Sequence, residues 1–90
     1  MHHYLRTASL PFEEVGGDLL IVDAQNDTFY SANAVGAYIW EQLRDPKSIE
    51  DLSSAVVAAF EDVEYPAAYS DVTDFLTSMT EHKLVRIVEP

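Results

Sequence analysis

Three histidines, at positions 2, 3 and 82, are the side chains best suited to acid–base chemistry or metal binding. His2 and His3 stand at the chain terminus, where a flexible tail that binds metal only nonspecifically is the simpler interpretation. His82 follows a predicted helix, where the helix dipole favours a cation. The chain has no cysteine, which excludes disulfides and cysteine-based zinc sites. The histidines therefore predict no specific metal site.

Motifs of common catalytic centres are missing from the sequence. It has no G-x-S-x-G elbow, no H-E-x-x-H pair and, with three glycines in all, no phosphate-binding glycine loop. Asp71 and Asp74 do not match a calcium loop, which needs a glycine and a closing glutamate. A solvated helix face explains these two aspartates better. We expect a protein without enzymatic activity, catalytic residues, metal or cofactor.

The charge balance excludes several classes of partner. Five basic and sixteen acidic residues give a formal net charge of −11. Nucleic acids and anionic membrane surfaces are bound through clusters of Lys and Arg, which this chain lacks. No apolar run approaches the ~20 residues that span a bilayer, and no signal peptide is visible. We expect a cytoplasmic domain that binds neither nucleic acids nor membranes.

The first third of the chain has the pattern of β-strands. Residues 1–4 are expected to be a mobile terminus, and residues 8–15 to form a weak first strand that is interrupted by a proline. The apolar residues 19–22 and the β-forming residues 28–31 are separated by the polar, turn-prone residues 24–27. This arrangement predicts a β-hairpin.

Helical spacing occupies the rest of the chain. Apolar residues recur every three to four positions over residues 34–44, in a second stretch that begins at Ser48, and in a third whose first turn contains Pro66. Residues 84–88 are β-branched and predict a last short strand. The order predicts an α+β, winged-helix-like fold with a three-stranded antiparallel sheet packed on a three-helix bundle.

The predicted hairpin leaves unpaired main-chain groups at a sheet edge, and an extended peptide can add to such an edge as a further strand. Four or five hydrogen bonds of about 0.5–1.5 kcal/mol each fall short of the ~8 kcal/mol of micromolar binding once ordering losses are included. Apolar pockets for peptide side chains are therefore needed as well. The apolar face of the third helix is suited to this task, so the residues favour a peptide-binding module.

Ordered segments of the chain resemble the PqqD-like family. The resemblance lies in DLLIVD over residues 18–23, FYSAN over 29–33 and VGAYIWEQL over 35–43. It continues with SIEDL over 48–52, and then with a third helix that reads DV..FL and ends in KLV. The similar region covers about residues 14–86, which is nearly the whole chain.

The resemblance implies that residues 1–90 form a single PqqD-like peptide-recognition domain. Such proteins are non-catalytic adaptors that bind the leader segment of a ribosomally made precursor peptide and deliver it to a modifying enzyme or leader protease. Freestanding members of this length resemble those of lasso-peptide clusters. The leader is expected to add beside the third predicted strand, residues 28–31, and against the third helix. The implied peptide-binding residues are Thr28, Phe29, Tyr30, Ser31, Tyr69, Asp71, Val72, Phe75, Leu76 and Met79.

Two alternatives stay open. A winged-helix DNA-binding regulator has the same elements and places a helix in the major groove, but Asp71, Asp74 and Glu81 would then face phosphates. A plain interaction domain that pairs with a larger protein would also have an open strand edge. DNA binding should weaken steeply with salt, whereas strand addition should respond little.

Overall fold

The computed structural model describes residues 2–7, 11–23 and 27–89. Within these residues, five strands and three helices follow in the order β1 (His3–Arg6), β2 (Phe12–Val15), β3 (Asp18–Asp23), β4 (Thr28–Ala32), α1 (Ala34–Gln42), α2 (Ile49–Ala59), α3 (Tyr65–Glu81) and β5 (Val85–Val88). The predicted α+β fold, with a three-stranded antiparallel sheet and three helices, is confirmed.

The three-stranded sheet has the order β2-β3-β4, so β2 and β4 are its two edges. Ile21 at its centre faces Phe12 on β2 and Tyr30 on β4. Along β3, burial alternates, so that Leu19, Ile21 and Asp23 face the core and Val22 faces outward. This alternation is what the two-residue period of a strand requires when one face of the sheet is covered.

The structure describes the whole of the β2–β3 turn but only part of the β3–β4 turn. Gly16 and Gly17 join β2 to β3 with φ values of 61° and 91°, a backbone conformation that glycine adopts without steric cost. The β3–β4 pairing confirms the predicted hairpin, whose turn residues 24–26 lie outside the described residues. The predicted first strand is shorter than expected, since β2 begins at Phe12, and residues 8–10 also lie outside the described part.

The N-terminal residues differ from the expectation of a mobile tail. β1 pairs antiparallel with β5, with His3 opposite Val88 and Arg6 opposite Val85. The other edge of β1 bonds to the segment between α1 and α2, where the Tyr4 N–H donates to the Lys47 carbonyl at 2.7 Å. The sequence predicted a mobile terminus because the partner of β1 is the short β-branched strand β5, at the far end of the sequence. Local patterns do not reveal a partner at that distance.

Each of the first two helices begins at a residue whose side chain caps its first turn. The Asn33 side chain accepts the Gly36 N–H at 3.0 Å at the start of α1. At the start of α2, Ser48 and Asp51 form a reciprocal capping box, in which the Asp51 N–H donates to the Ser48 hydroxyl at 3.0 Å. α3 carries Pro66 in its first turn, as predicted.

The core lies between the inner face of the three-stranded sheet and the helices. Trp40 is its largest fully buried side chain, and its indole meets the Phe12 ring edge-on with centroids 5.9 Å apart. The Arg6 guanidinium lies over both rings. These contacts join β1, β2 and α1, and the apolar stripes of α2 and α3 complete the core.

Candidate peptide-binding groove

The free edge of β4 can be identified from the direction of the main-chain groups. The Val22 N–H donates to the carbonyl of Pro11, next to β2, at 2.9 Å. Successive residues of a strand direct their main-chain groups to opposite sides, so Ile21 faces β4 and pairs with Tyr30. Phe29 and Ser31 therefore direct their N–H and C=O groups away from the sheet, toward the open edge.

The two edges of this sheet differ in charge. β2 has the sequence FEEV, with Glu13 and Glu14 at its centre, whereas β4 has the sequence TFYSA without a charged residue. Charged side chains on an edge strand discourage the pairing of another strand. The β4 edge is therefore the better suited of the two to accept an extended peptide.

An open pocket of about 290 Å³ lies where the end of β4 meets α1 and α3. From α3 it is lined by the half-buried Phe75 and the exposed Asp71 and Asp74. The remaining lining residues come from β4, the residue that follows it and α1, and they are Ala32, Asn33, Val35, Gly36 and Ile39. The pocket thus has an apolar interior with two carboxylates on its α3 side.

A second contact joins β4 to α3 farther along the helix. The Tyr30 ring lies against the imidazole of His82, with ring centroids 4.6 Å apart and planes tilted by 55°. His82 is the residue at the end of α3, and its Nδ1 lies 2.8 Å from the Ser78 carbonyl oxygen. The groove along β4 therefore extends from the Tyr30–His82 contact to the pocket beside Phe75.

The residues predicted on β4 occupy both faces of that strand. Tyr30 is half-buried and packs against the core, while Phe29 faces outward beside Val22 and is 72% exposed. Ser31 is also exposed, and Thr28 pairs with Asp23 at the beginning of the strand. A peptide that adds to β4 would therefore have Phe29 as its neighbour on the outer face and Tyr30 on the inner face.

The residues predicted on α3 are not all brought to the groove. Asp71 and Phe75 line it, whereas Val72, Leu76 and Met79 are buried in the core beneath it. Tyr69 lies two residues before Asp71, which places it roughly 200° away around the helix axis at about 100° per residue. Tyr69 therefore faces away from the pocket and lies beside the exposed Tyr65, with ring centroids 6.2 Å apart and planes tilted by 39°.

Seven residues at the groove were not among the predicted site residues. His82 contacts the Tyr30 ring, and the pocket is lined by six others, which are Ala32, Asn33, Val35, Gly36, Ile39 and Asp74. Asp71 and His82 share a helix face with Phe75, since residues four and seven apart lie on one side of a helix. The seven-residue spacing between Phe75 and His82 is the sequence signal that places His82 at the groove, whereas the apolar stripe of α3 does not include it.

The described ranges contain neither a metal-binding cluster nor a membrane-spanning helix. No cluster of three or more His, Asp or Glu side chains there is placed to hold a metal ion. Among residues 2–7, 11–23 and 27–89, no helix is both long enough and apolar enough to cross a membrane.

The sequence profile of one protein family matches most of the chain. The family is described as coenzyme PQQ synthesis protein D (PqqD), and the match covers residues 18–85. The chain belongs to the PqqD family. The matched range contains β3, β4 and all three helices, so it includes both sides of the groove. No curated protein matches the chain in sequence.

Two solved structures have the same fold as this PqqD-family protein. TbiB1, in complex with the TbiA(β) leader peptide, is 23% identical with a TM-score of 0.76, over 91% of this chain and 94% of TbiB1. A lasso peptide synthetase B1, complexed with its leader peptide, is 18% identical with a TM-score of 0.75. That match covers 92% of this chain and 96% of the synthetase chain.

Proposed function

We propose that this PqqD-family protein is a non-catalytic adaptor. It binds the leader segment of a ribosomally made precursor peptide by β-strand addition and delivers it to a modifying enzyme or leader protease. The observation that carries the proposal is the juxtaposition of the free, uncharged edge of β4 with the pocket beside Phe75. One bound strand can pair with the β4 edge while its side chains enter the pocket beside Phe75.

The two structural relatives support this function. Both are complexes with leader peptides, and each shares the fold over nearly its whole length. Because one of them is a lasso peptide synthetase, we propose a lasso-peptide pathway and a leader protease as partner. We also propose that the domain spans residues 1–90, acts in the cytoplasm and binds neither nucleic acid nor membrane.

Residues in the groove divide into three proposed roles. Phe29 and Ser31 offer main-chain hydrogen bonds to the peptide at the β4 edge, which begins at Thr28. Tyr30 and Phe75 offer apolar contacts on the inner face. The buried Val72, Leu76 and Met79 hold α3 in place, Asp71 stands at the pocket, and Tyr69 lies on the other side of the helix.

The DNA-binding alternative has no support in the comparisons. α3, the helix that a winged-helix regulator would place in the major groove, exposes Asp71, Asp74 and Glu81. Three carboxylates on that helix would repel phosphates, and the chain has only five Lys and Arg residues in all.

An NMR titration tests the proposal. Isotopically labelled protein is titrated with the synthetic leader of the precursor encoded beside its gene, and a peptide of scrambled sequence serves as the control. We expect amide shifts at residues 28–31 and around Asp71, Asp74 and Phe75, and none with the scrambled peptide. Shifts centred on β2, or no shifts at millimolar leader, would contradict the proposal.

A further inference from the structure

We propose that the pocket beside β4 selects a basic side chain of the bound peptide, and that Asp71 and Asp74 determine this preference. The inference rests on the proposed function and names the chemistry of the peptide that the groove takes. It follows from the shape of the pocket, from the charges at its α3 side and from the arrangement of the two faces of β4.

The pocket combines an apolar interior with carboxylates on one side. Ala32, Val35, Ile39 and Phe75 offer hydrocarbon surface, and Asp71 and Asp74 stand three residues apart on α3. Side chains at that spacing are neighbours on a helix surface. Lys and Arg match such a site, because their alkyl stems pack on apolar groups while the charged end reaches a polar rim.

Neither aspartate forms an ion pair within the described residues. The ion pairs in the described ranges are His2–Glu89 and Arg44–Glu41, and neither involves α3. Arg6 is held over two core rings and donates to the Trp40 carbonyl. The carboxylates of Asp71 and Asp74 therefore face the pocket without a basic partner from the described part of the chain.

The start of α1 offsets only part of this charge. Its first turn has no acidic residue, and a helix N-terminus carries a partial charge of about +0.5. The Asn33 side chain already accepts one of the free N–H groups there, that of Gly36. Two ionised carboxylates exceed the partial charge of the helix, so the pocket keeps a negative potential, to which the overall charge of −11 adds.

The strand geometry predicts where the basic residue stands in the peptide. Tyr30 and Ala32 lie two residues apart on the inner face of β4. A peptide strand beside β4 also presents every second side chain to that face. The side chain that enters the pocket is therefore basic, and the inner-face side chain two positions away, next to Tyr30, is apolar.

Selection from a library tests the preference without knowledge of the natural leader. Random 12-residue peptides displayed on phage are selected on the wild-type protein and on the double variant D71N/D74N. The control is E61Q/D62N, which removes two exposed charges from the loop before α3. We expect wild type and control to enrich Lys or Arg two positions from an apolar residue. The D71N/D74N variant should still select the apolar residue but lose the basic one.

A synthetic peptide with a selected sequence then measures how strongly its basic residue interacts with Asp71 and Asp74. Replacing its basic residue by norleucine should weaken binding roughly three- to tenfold on wild type and much less on D71N/D74N. Equal losses on both proteins, or basic enrichment that persists on D71N/D74N, would overturn the inference alone. Recovery of no peptides, or of peptides that still bind the variant Ser31→Pro, would overturn the proposed function and the inference with it.

Discussion

The ring of Phe75 on α3 lies over Gly36 in the first turn of α1. A Cβ atom on Gly36 would stand 3.2 Å from Phe75 Cε1 and 2.7 Å from the Cβ of Ala32. Three elements, β4, α1 and α3, thus meet at a point that has room for a hydrogen atom and not for a methyl group. This close approach determines the distance between the β4 edge and the helix that forms the other side of the groove.

Replacing Gly36 by Ala should therefore destabilise the protein, although alanine is the better helix former. The propensity gain is about 0.5–1 kcal/mol, and overpacking costs about 1–3 kcal/mol, so we expect a net loss of about 1 kcal/mol. Urea unfolding measures it, with Ala34→Gly as the control for glycine in the same turn. A variant as stable as wild type would show that the three elements separate without cost.

Replacing Trp40 by Ala should cost about 3–5 kcal/mol of unfolding free energy, because the indole is 1% exposed and its removal leaves a cavity next to Phe12. The total free energy of unfolding of a small domain is about 5–15 kcal/mol, so the variant should melt at a much lower temperature. Thermal unfolding followed by circular dichroism measures this. A melting temperature near that of wild type would contradict the place of Trp40 in the core.

The capping box of α2 predicts a pH dependence of stability. The hydrogen bond from the Ser48 N–H, with a further contribution from the Ser48 side chain, lowers the pKa of Asp51 below its usual range. A carboxyl with a lowered pKa in the folded state stabilises the fold above its unfolded pKa of about 3.9, and this contribution is lost as pH falls through the folded value. The stability difference between wild type and Asp51→Asn should therefore shrink below about pH 4.

Urea midpoints at pH 7 and at pH 2.5 measure this difference, with Asp62→Asn in the following loop as the control without a capping bond. A difference that stays constant over the two pH values would contradict the capping role. Ser48→Ala should cost about 0.5–2 kcal/mol at pH 7, since it removes the acceptor of the Asp51 N–H.

Replacing Phe29 by Ser should weaken leader binding without destabilising the fold. Phe29 is largely exposed on the outer face of β4, so the unfolding free energy should change by less than about 0.5 kcal/mol. An aromatic contact with an adjacent strand contributes about 0.2–1 kcal/mol, which is up to roughly a fivefold change in affinity. Isothermal titration calorimetry with the leader measures it, and unchanged affinity would place the peptide elsewhere.

Much of the fold follows from local sequence patterns. The alternation over β3, the capping residues Asn33 and Ser48 and the apolar stripes of the helices each depend on neighbours a few residues apart. The pairing of β1 with β5 depends instead on residues from opposite ends of the sequence, such as His3 and Val88. No local pattern marks such a partner, which is why the N-terminal strand was not predicted.

The site was predictable only in part for a similar reason. The helical pattern placed Phe75 and Asp71 on α3, but it could not tell the apolar residues that fill the core, such as Val72, from those that line a groove. The sequence also predicts Tyr69 among the peptide-binding residues, although the structure directs Tyr69 away from the pocket. The direction of each β4 amide likewise depends on the register with β3, which local patterns do not reveal. In the structure Ser31, and not Tyr30, directs its N–H to the open edge.

Proline substitution at the two sheet edges is the most direct test of strand addition at β4. Ser31→Pro removes an N–H that faces the open side of β4, and Glu14→Pro removes the equivalent outward N–H on β2. Leader affinity is measured by titration calorimetry for both, with Ser31→Ala as the control for the hydroxyl and circular dichroism as the check on folding. We predict at least about a tenfold loss for Ser31→Pro and wild-type affinity for Glu14→Pro and Ser31→Ala. Unchanged affinity in a folded Ser31→Pro variant, or a loss confined to Glu14→Pro, would contradict peptide binding at β4.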